Sequence, residues 1–361
     1  MQLQKSLHLL LCTEQENEYI VRNSKKPFFF DKQVEDRSAE KRRMSVIQKK
    51  PLYVKVNGIY IPKAFSPQCF NEALNYKPKP GDVFICTYPK CGTTWMQNIV
   101  LYIFRKGKEL DDPLDILRCA PFIDMLGKQG IERMPRPGAF KTHLPFTHIP
   151  YSSEAKYIFV ARNPKDCCTS FFHHARRNAG FGFWNGTFGD FFEVFMAGEV
   201  EYGDYFDHLL SWYPHRNDPN VFYTTFENMK NNASAVTLDL AKFLGEEYIE
   251  AIEKDRTVLD NILLYSGFDY MKKNLAEIWN PKYITESKQE LFDSYDGFRY
   301  GEEFRKTLDP PKDLPDISFV RKGVVGDWKN HLSPEQNESL ERRFLERLKG
   351  TEVLQWFPIE E

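Results

Sequence analysis

Apolar residues along this chain follow two periods. The short runs Val83–Thr87 (VFICT), Lys156–Ala161 (KYIFVA) and Val221–Thr225 (VFYTT) are nearly continuous and bounded by polar or turn residues. Such runs read as strands covered on both faces. Between them the spacing changes. Trp95, Ile99, Tyr102 and Ile103 recur at helical intervals and predict a helix over 95–104. A second helix is predicted over 236–244, with Gly245 as its stop. Pro164 suits the first turn of a helix after the second strand. Strands alternating with helices predict an α/β fold: a single domain with a central parallel β-sheet flanked by helices on both faces. No internal repeat is visible. The stretch 280–315, with Pro281, Pro310, Pro311 and Pro315, reads as a loop.

Residues 1–50 lack this alternation. They include the polar run RSAEKRR at 37–43 and are expected to form a mobile extension, with the folded domain at 51–361. Met44 precedes the change of character, so a start at Met44 instead of Met1 is an open alternative.

Composition narrows the classes. Of 361 residues, 42% are hydrophobic and 30 are Phe, ample for one packed core. Basic and acidic residues nearly cancel, 49 against 51, so no net positive field favours nucleic acid or an anionic membrane. No apolar run reaches the roughly 20 residues that span a bilayer. The seven cysteines are odd in number and form no CxxC pair. Reduced thiols in a cytoplasmic protein are expected, with neither a disulfide framework nor a zinc site.

The most informative segment is Thr87 to Trp95, TYPKCGTTW, between a predicted strand and a predicted helix. Small residues let the backbone curl so that its N–H groups face an anion, and the helix N-terminus adds partial positive charge. Lys90 supplies a full charge, and Thr93 and Thr94 supply hydroxyls. The Walker pattern GxxxxGK[ST] is not present. In KTHLP at 141–145, Lys141 and His143 stand two apart. On an extended chain both face one side, with Thr142 turned away. Histidine titrates near pH 6.5 and suits proton removal at neutral pH.

YPKCGTTW resembles the 5'-phosphosulfate loop of cytosolic sulfotransferases, with Cys91 where the family usually has Ser. KTHLP, ARNPKDCCTSFFHH at 161–174 and RKGVVGDWK at 321–329 match further family segments in the right order. The resemblance spans about residues 51–361. It implies a single α/β sulfotransferase domain using 3'-phosphoadenylyl sulfate (PAPS) as donor, PAP as product, and no metal. By resemblance, Lys90, Cys91, Gly92, Thr93, Thr94 and Trp95 hold the 5' end. Arg162 and Ser170, completed by Arg321, Lys322 and Gly323, hold the 3'-phosphate. Trp95 and Phe268 sandwich the adenine, with Ser266 nearby. Phe226 stands where the family commonly has Tyr, so the ring is kept and a hydroxyl is lost. His143 becomes the candidate general base for an acceptor hydroxyl or amine. Lys90 and Lys141 stabilise the transferred group, and Ser170 restrains Lys90. His173 and His174 are read as helix residues without a role.

The acceptor is expected to be a small, aromatic or lipophilic molecule against Phe146, Phe181, Phe183 and Trp184. Phenols, monoamines, steroids and alcohols all stay open. In the family a Lys, a Thr-Val and a Glu form a small dimer contact. Here Ser333-Pro334 replaces Thr-Val between Lys329 and Glu338, and proline has no N–H to donate. A homodimer through this motif is therefore in question. About 25 residues more than the family pattern separate Asn274 from Arg321, enough to cover an active site. The rival readings are a small-molecule or nucleoside kinase, and a non-catalytic nucleotide- or lipophile-binding protein.

Overall fold

The computed structural model describes residues 49–279, 285–311 and 320–357. Nearly all of the expected mobile extension, and with it the choice between Met1 and Met44, lies outside the described residues. So do Pro281 and Pro315.

The described chain opens with a hairpin, β1 (Tyr53–Val56) and β2 (Ile59–Pro62), closed by Asn57-Gly58 with both residues at positive φ. Helix α1 (Pro67–Leu74) leads to strand β3 (Val83–Thr87), then α2 (Thr93–Phe104), α3 (Asp115–Cys119) and α4 (Ile123–Arg133). Strands β4 (Phe140–Thr142) and β5 (Lys156–Ala161) follow. After them come α5 (Pro164–Arg177), α6 (Phe188–Ala197) and α7 (Tyr205–Trp212). Strand β6 (Val221–Thr225) precedes α8 (Phe226–Asn231), α9 (Ala233–Leu244), α10 (Glu246–Lys254), α11 (Arg256–Tyr265) and α12 (Phe268–Trp279). The chain continues through α13 (Glu286–Asp293), α14 (Asp296–Lys306), α15 (Pro334–Arg347) and α16 (Val353–Trp356).

The main sheet is parallel, in the order β4-β3-β5-β6. Period-2 alternation sends Phe84, Cys86, Tyr157 and Phe159 to one face, where α5, α6, α7 and α15 pack. Val83, Ile85, Ile158 and Val160 face α2, α9, α10 and α11 on the other. Both faces are buried, which explains the unbroken apolar runs in the sequence. The chain leaves β3 for β4 on one side and leaves β5 for β6 on the other. The crevice between the C-terminal ends of β3 and β5 is therefore a topological switch point, where open α/β sheets bind ligands.

The three expected strands have the bounds read from the sequence, and Pro164 occupies the first turn of α5 behind an Asn163 cap. The expected helices start earlier, at Thr93 and Ala233. Asn-Gly between β-branched and aromatic residues accounts for the hairpin. The loop expected at 280–315 is corrected: α13 and α14 occupy most of its described part. Thr285 caps α13 through Lys288 N, and few apolar positions made the period faint. Helix α14 docks on α4 through Tyr295 and Phe298 against Leu126, with Gln129 bound to Asp296 at 2.8 Å. At Gly297 a Cβ would collide with the Met125 carbonyl. Gly297→Ala is expected to cost about 1–3 kcal/mol by overpacking. Chemical denaturation measures the loss, and hydrogen exchange should locate it in α13 and α14.

Candidate active site

The loop leaving β3 turns sharply. Lys90 adopts φ 70° and Gly92 φ 98°, the left-handed region. For Gly92 the conformation and the crowding agree, since a Cβ would approach the Phe226 ring at 2.9 Å. Helix α2 then starts at Thr93 with no side chain capping its first N–H groups. Those groups and the helix dipole point into the switch-point crevice. Thr93 Oγ1 lies 2.6 Å from Thr87 Oγ1. Cys91 turns inward: it is fully buried, with Sγ 3.7 Å from Cys167 Sγ. It can offer an anion only its backbone.

Arg162, at the end of β5, ties three segments together. Its guanidinium donates to Lys90 O at 2.9 Å and to Val324 O at 3.4 Å, and it lies 4.2 Å over the Phe226 ring. The Tyr205 hydroxyl donates to the Arg162 carbonyl. Asp166 does not pair with Arg162. It accepts from Gly326 N at 2.7 Å and Trp328 N at 3.1 Å, fastening the 321–329 segment to α5. Ser170 is half-buried two turns along the same helix. Arg321 and Lys322 both reach Asp327 at 2.6 Å, so any bound anion shares them with that carboxylate. The Phe268 ring rests on Gly323, where a Cβ would strike it. Trp95 meets Phe226 edge-on at 5.5 Å. The buried Ser266 hydroxyl donates to Ile262 O at 2.7 Å, so only its lone pairs remain for another partner.

On the other side of the loop, Lys141 and His143 share a face. Lys141 Nζ lies 4.0 Å over the Phe122 ring, and the His143 ring meets Phe122 at 5.0 Å. His143 is held at three points. Its N–H donates to Asp124 at 2.8 Å, its carbonyl accepts from His208 Nε2 at 2.9 Å, and Nδ1 lies 2.8 Å from Thr87 O. A carbonyl only accepts, so Nδ1 carries the proton and Nε2 is left as the base. Burial and the Lys141 charge hold the imidazole well below its usual range, so it is neutral near pH 7. Burial, then Lys141 and Arg177, bring Lys90 down to about 7, and burial brings Lys141 to about 8. Asp124 is pushed up to about 6 by burial.

The expected acceptor walls divide. Phe181 touches Tyr53 at 5.9 Å and His174 at 5.4 Å. Phe146 stacks on His215 and meets Trp212 edge-on, and Phe183 is fully buried beside Phe191. Phe183 is a core side chain, and Phe146 is half-buried against the same core. Trp184 is half-buried, and its carbonyl accepts from Arg176. The rings surrounding His143 are instead Phe122 and Tyr202, with Phe65 behind Phe122. Sequence reasoning passed over four polar groups. His174, set aside as a helix residue, feels the charges of Lys90 and Lys141, and Arg177 acts on Lys90 as well. Ser170, His174 and Arg177 recur at i, i+4 and i+7 on α5, a signal the helix prediction already contained. Asp124 and Glu201, by contrast, had no local signature.

A model of the Sulfotransferase domain matches residues 80–352. Human Sulfotransferase 1C2 is 31% identical over 301 residues, covering 79% of this chain and 88% of that protein. The Amine sulfotransferase of Oryctolagus cuniculus is 33% identical, covering 76% and 83% respectively. The structure of mouse sulfotransferase SULT7A1 complexed with PAP superimposes with a TM-score of 0.62 at 27% identity, over 84% of this chain and 97% of that one. The fold and the anion-facing crevice thus define a sulfuryl-transfer enzyme. This chain belongs to the cytosolic sulfotransferase family, as a PAPS-dependent enzyme acting on small acceptors.

Phe226 packs against Gly92, Arg162 and Trp95 and carries no hydroxyl where the family resemblance expects one. One added hydrogen bond contributes on the order of 1 kcal/mol. Phe226→Tyr is expected to tighten PAP binding about threefold or more by calorimetric titration. Unchanged or weaker affinity would remove the hydroxyl from the account.

Proposed function

We propose that His143 is the general base of the transfer and that Lys90 and Lys141 carry its charge. Nε2 takes the acceptor's hydroxyl (or amine) proton as that atom attacks sulfur. The new bond to sulfur forms as the bond from sulfur to the 5'-phosphate oxygen breaks, and PAP leaves with the electron pair. Negative charge spreads over the transferred oxygens and the leaving phosphate. The two lysines and the N-terminal N–H groups of α2 meet it there. The observation that carries this reading is the Nδ1–Thr87 O bond, because it sets the tautomer and ties the base to the donor loop.

The residues fit the donor by their chemistry. Cys91, Gly92, Thr93 and Thr94 offer backbone and hydroxyl groups to the 5' end. Arg162, Ser170, Arg321, Lys322 and Gly323 gather for the 3'-phosphate. Trp95, Phe226 and Phe268 supply flat surfaces for adenine, with Ser266 beside them. For the acceptor we assign Phe122 and Tyr202, which adjoin His143, with the buried Phe181 behind them and the half-buried Phe146 and Trp184 at the margin, and leave Phe183 to the core. With lysines supplying the charge, the reaction is taken to need no metal. A cytoplasmic location fits the free thiols of Cys69, Cys86, Cys91, Cys119, Cys167 and Cys168. Ser333 and Pro334 start α15 through a capping box, which gives them a role independent of a homodimer.

Incubating the protein with labelled PAPS and a mixed acceptor panel, in the presence of a chelator, tests the whole reading. His143→Ala is expected to lose about 100-fold or more in turnover while PAP still binds. Near-normal turnover would remove His143 as the base. The lysines predict a pH effect of definite sign. Lys90 sits near 7 in the free cleft, and only its charged form attracts the anion. PAP affinity should therefore fall as pH rises above 7, approaching about tenfold per unit while one lysine must take up a proton. Calorimetry near pH 8 in buffers of different ionisation heat should show proton uptake, and a flat profile would remove Lys90 from the anion site.

A further inference from the structure

Strand β4 is the edge of the main sheet, and its outer side pairs with the chain that leads into α4. Ala139 N donates to Cys119 O and Lys141 N donates to Pro121 O, each at 2.9 Å. Phe122 bridges to Lys141 in parallel register. The next donor along this ladder is the N–H of His143, and its matching acceptor would be the carbonyl of Ile123. Ile123 is the first residue of α4, so the backbone ladder stops there. Asp124, in the first turn of that helix, supplies the acceptor instead. Its Oδ2 takes the His143 N–H at 2.8 Å, in a buried setting. A side chain thus adds one rung to the ladder, and without it a buried N–H would be orphaned.

The same carboxylate reaches further. Asp124 is fully buried, and its side-chain partners are the hydroxyls of Thr142 and Tyr202. Thr142 Oγ1 already accepts from Leu144 N at 3.1 Å, which leaves its proton to donate. Tyr202 comes from the segment between α6 and α7, and its ring meets the His143 ring at 5.3 Å. Phe122, two residues before Asp124, meets the imidazole at 5.0 Å. Asp124 therefore binds the backbone beneath the imidazole and one of the two rings beside it, and it follows the other ring directly in the chain. A shift of the His143 amide would carry Nδ1 away from Thr87 O, because the ring is joined to that backbone by only two rotatable bonds.

Building on the proposed role of His143 as the base, we infer that Asp124 is a positioning residue of the transfer: its carboxylate holds the His143 backbone and the Tyr202 wall in one register, so that an acceptor hydroxyl lying against that wall meets Nε2. Asp124 touches neither donor nor acceptor. Its effect falls on the alignment of base and acceptor, and the donor pocket on the far side of the loop is left as it is.

The test compares Asp124→Ala with Asp124→Asn at saturating PAPS, with 4-nitrophenol as acceptor. Asp124→Ala removes the acceptor of the His143 N–H and is expected to lose about thirtyfold or more in kcat, while PAP affinity by calorimetry stays within about threefold. Asp124→Asn offers an amide oxygen to the same N–H, a weaker bond without the charge, and is expected to settle about three- to tenfold below the wild type. An Ala variant within about threefold of the wild type, an Asn variant equal to the wild type, two variants equally impaired, or a loss of PAP affinity in step with kcat overturns the inference. Nitrogen NMR of the PAP-loaded protein reads the imidazole without turnover. The Nδ1–H tautomer alone is expected in the wild type and in Asp124→Asn, and a mixture of tautomers in Asp124→Ala. A single tautomer in all three overturns the inference. His143→Ala, run alongside, keeps the two readings apart. Normal turnover there removes the base and this inference with it, whereas a loss there with Asp124→Ala unaffected removes only the positioning role. If the wild type does not sulfate 4-nitrophenol, the transfer reading fails for that phenol, and the NMR decides the positioning of His143. Should Asp124→Ala fail to fold, the kcat and PAP affinity of Asp124→Asn decide.

Discussion

The hydrogen bond from His143 Nδ1 to the Thr87 carbonyl joins the two halves of the site. Thr87 is the last residue of β3 and the first of the donor loop, so its carbonyl position is set by the sheet. Fixing Nδ1 there gives the imidazole one tautomer and one direction. Thr87 also meets Thr93 through its hydroxyl, so the start of the loop, the start of α2 and His143 share one short network. A shift of β3 against β4 would displace His143 and the loop at 87–95 together, since both rest on paired parallel strands. Asp124 and His208 complete the clamp from α4 and α7. Each is buried, so each is strongly held only while its partner stays in place.

Arg162 does for the far end of the site what Thr87 does for the near end. Its two bonds to carbonyls bring the donor loop and the 321–329 segment to one point. Neither bond neutralises the guanidinium, so its charge remains available to an anion. Asp166 and Asp327 take the supporting roles, one fastening the segment and the other restraining its two cations. The carboxylates thus organise the cations of the pocket without quenching the central one.

Much of this was legible in the sequence because it depends on local pattern. The three long strands are continuous apolar runs whose ends coincide with Gly, Pro and charged residues. The loop at 87–95 announces itself by composition. Lys141 and His143 follow from alternation along an extended chain. The less legible features depend on tertiary placement. Cys91 looked like an open loop residue and proves to be buried, because the turn at Lys90 and Gly92 drives its side chain under the loop. Helices α13 and α14 have few apolar residues and dock through a close glycine contact. Phe183 looked like a pocket wall because aromatic loops often are, but the hydrophobic core claims it, with Phe146 half-buried against that core. Glu201 reads as one more acid in the solvated run GEVEYG, since nothing local tells that it is buried.

The cleft carries an unusual load of buried charge for its size. Lys90 and Lys141 are pushed down by burial, whereas Asp124 and Glu201 are pushed up. Each of these groups is less stable charged here than in water, and an apolar lining would make a more stable protein. The strain falls on groups of opposite sign. A sulfate or phosphate in the cleft would restore the lysines to their charged state. The empty site is therefore destabilised in a way that binding an anion corrects, and that binding changes the proton inventory of the cleft. Binding energy at such a site comes from completing an electrostatic arrangement that the fold holds open, and in the proposed reaction that arrangement sets positive groups around the transferred sulfur before any substrate arrives.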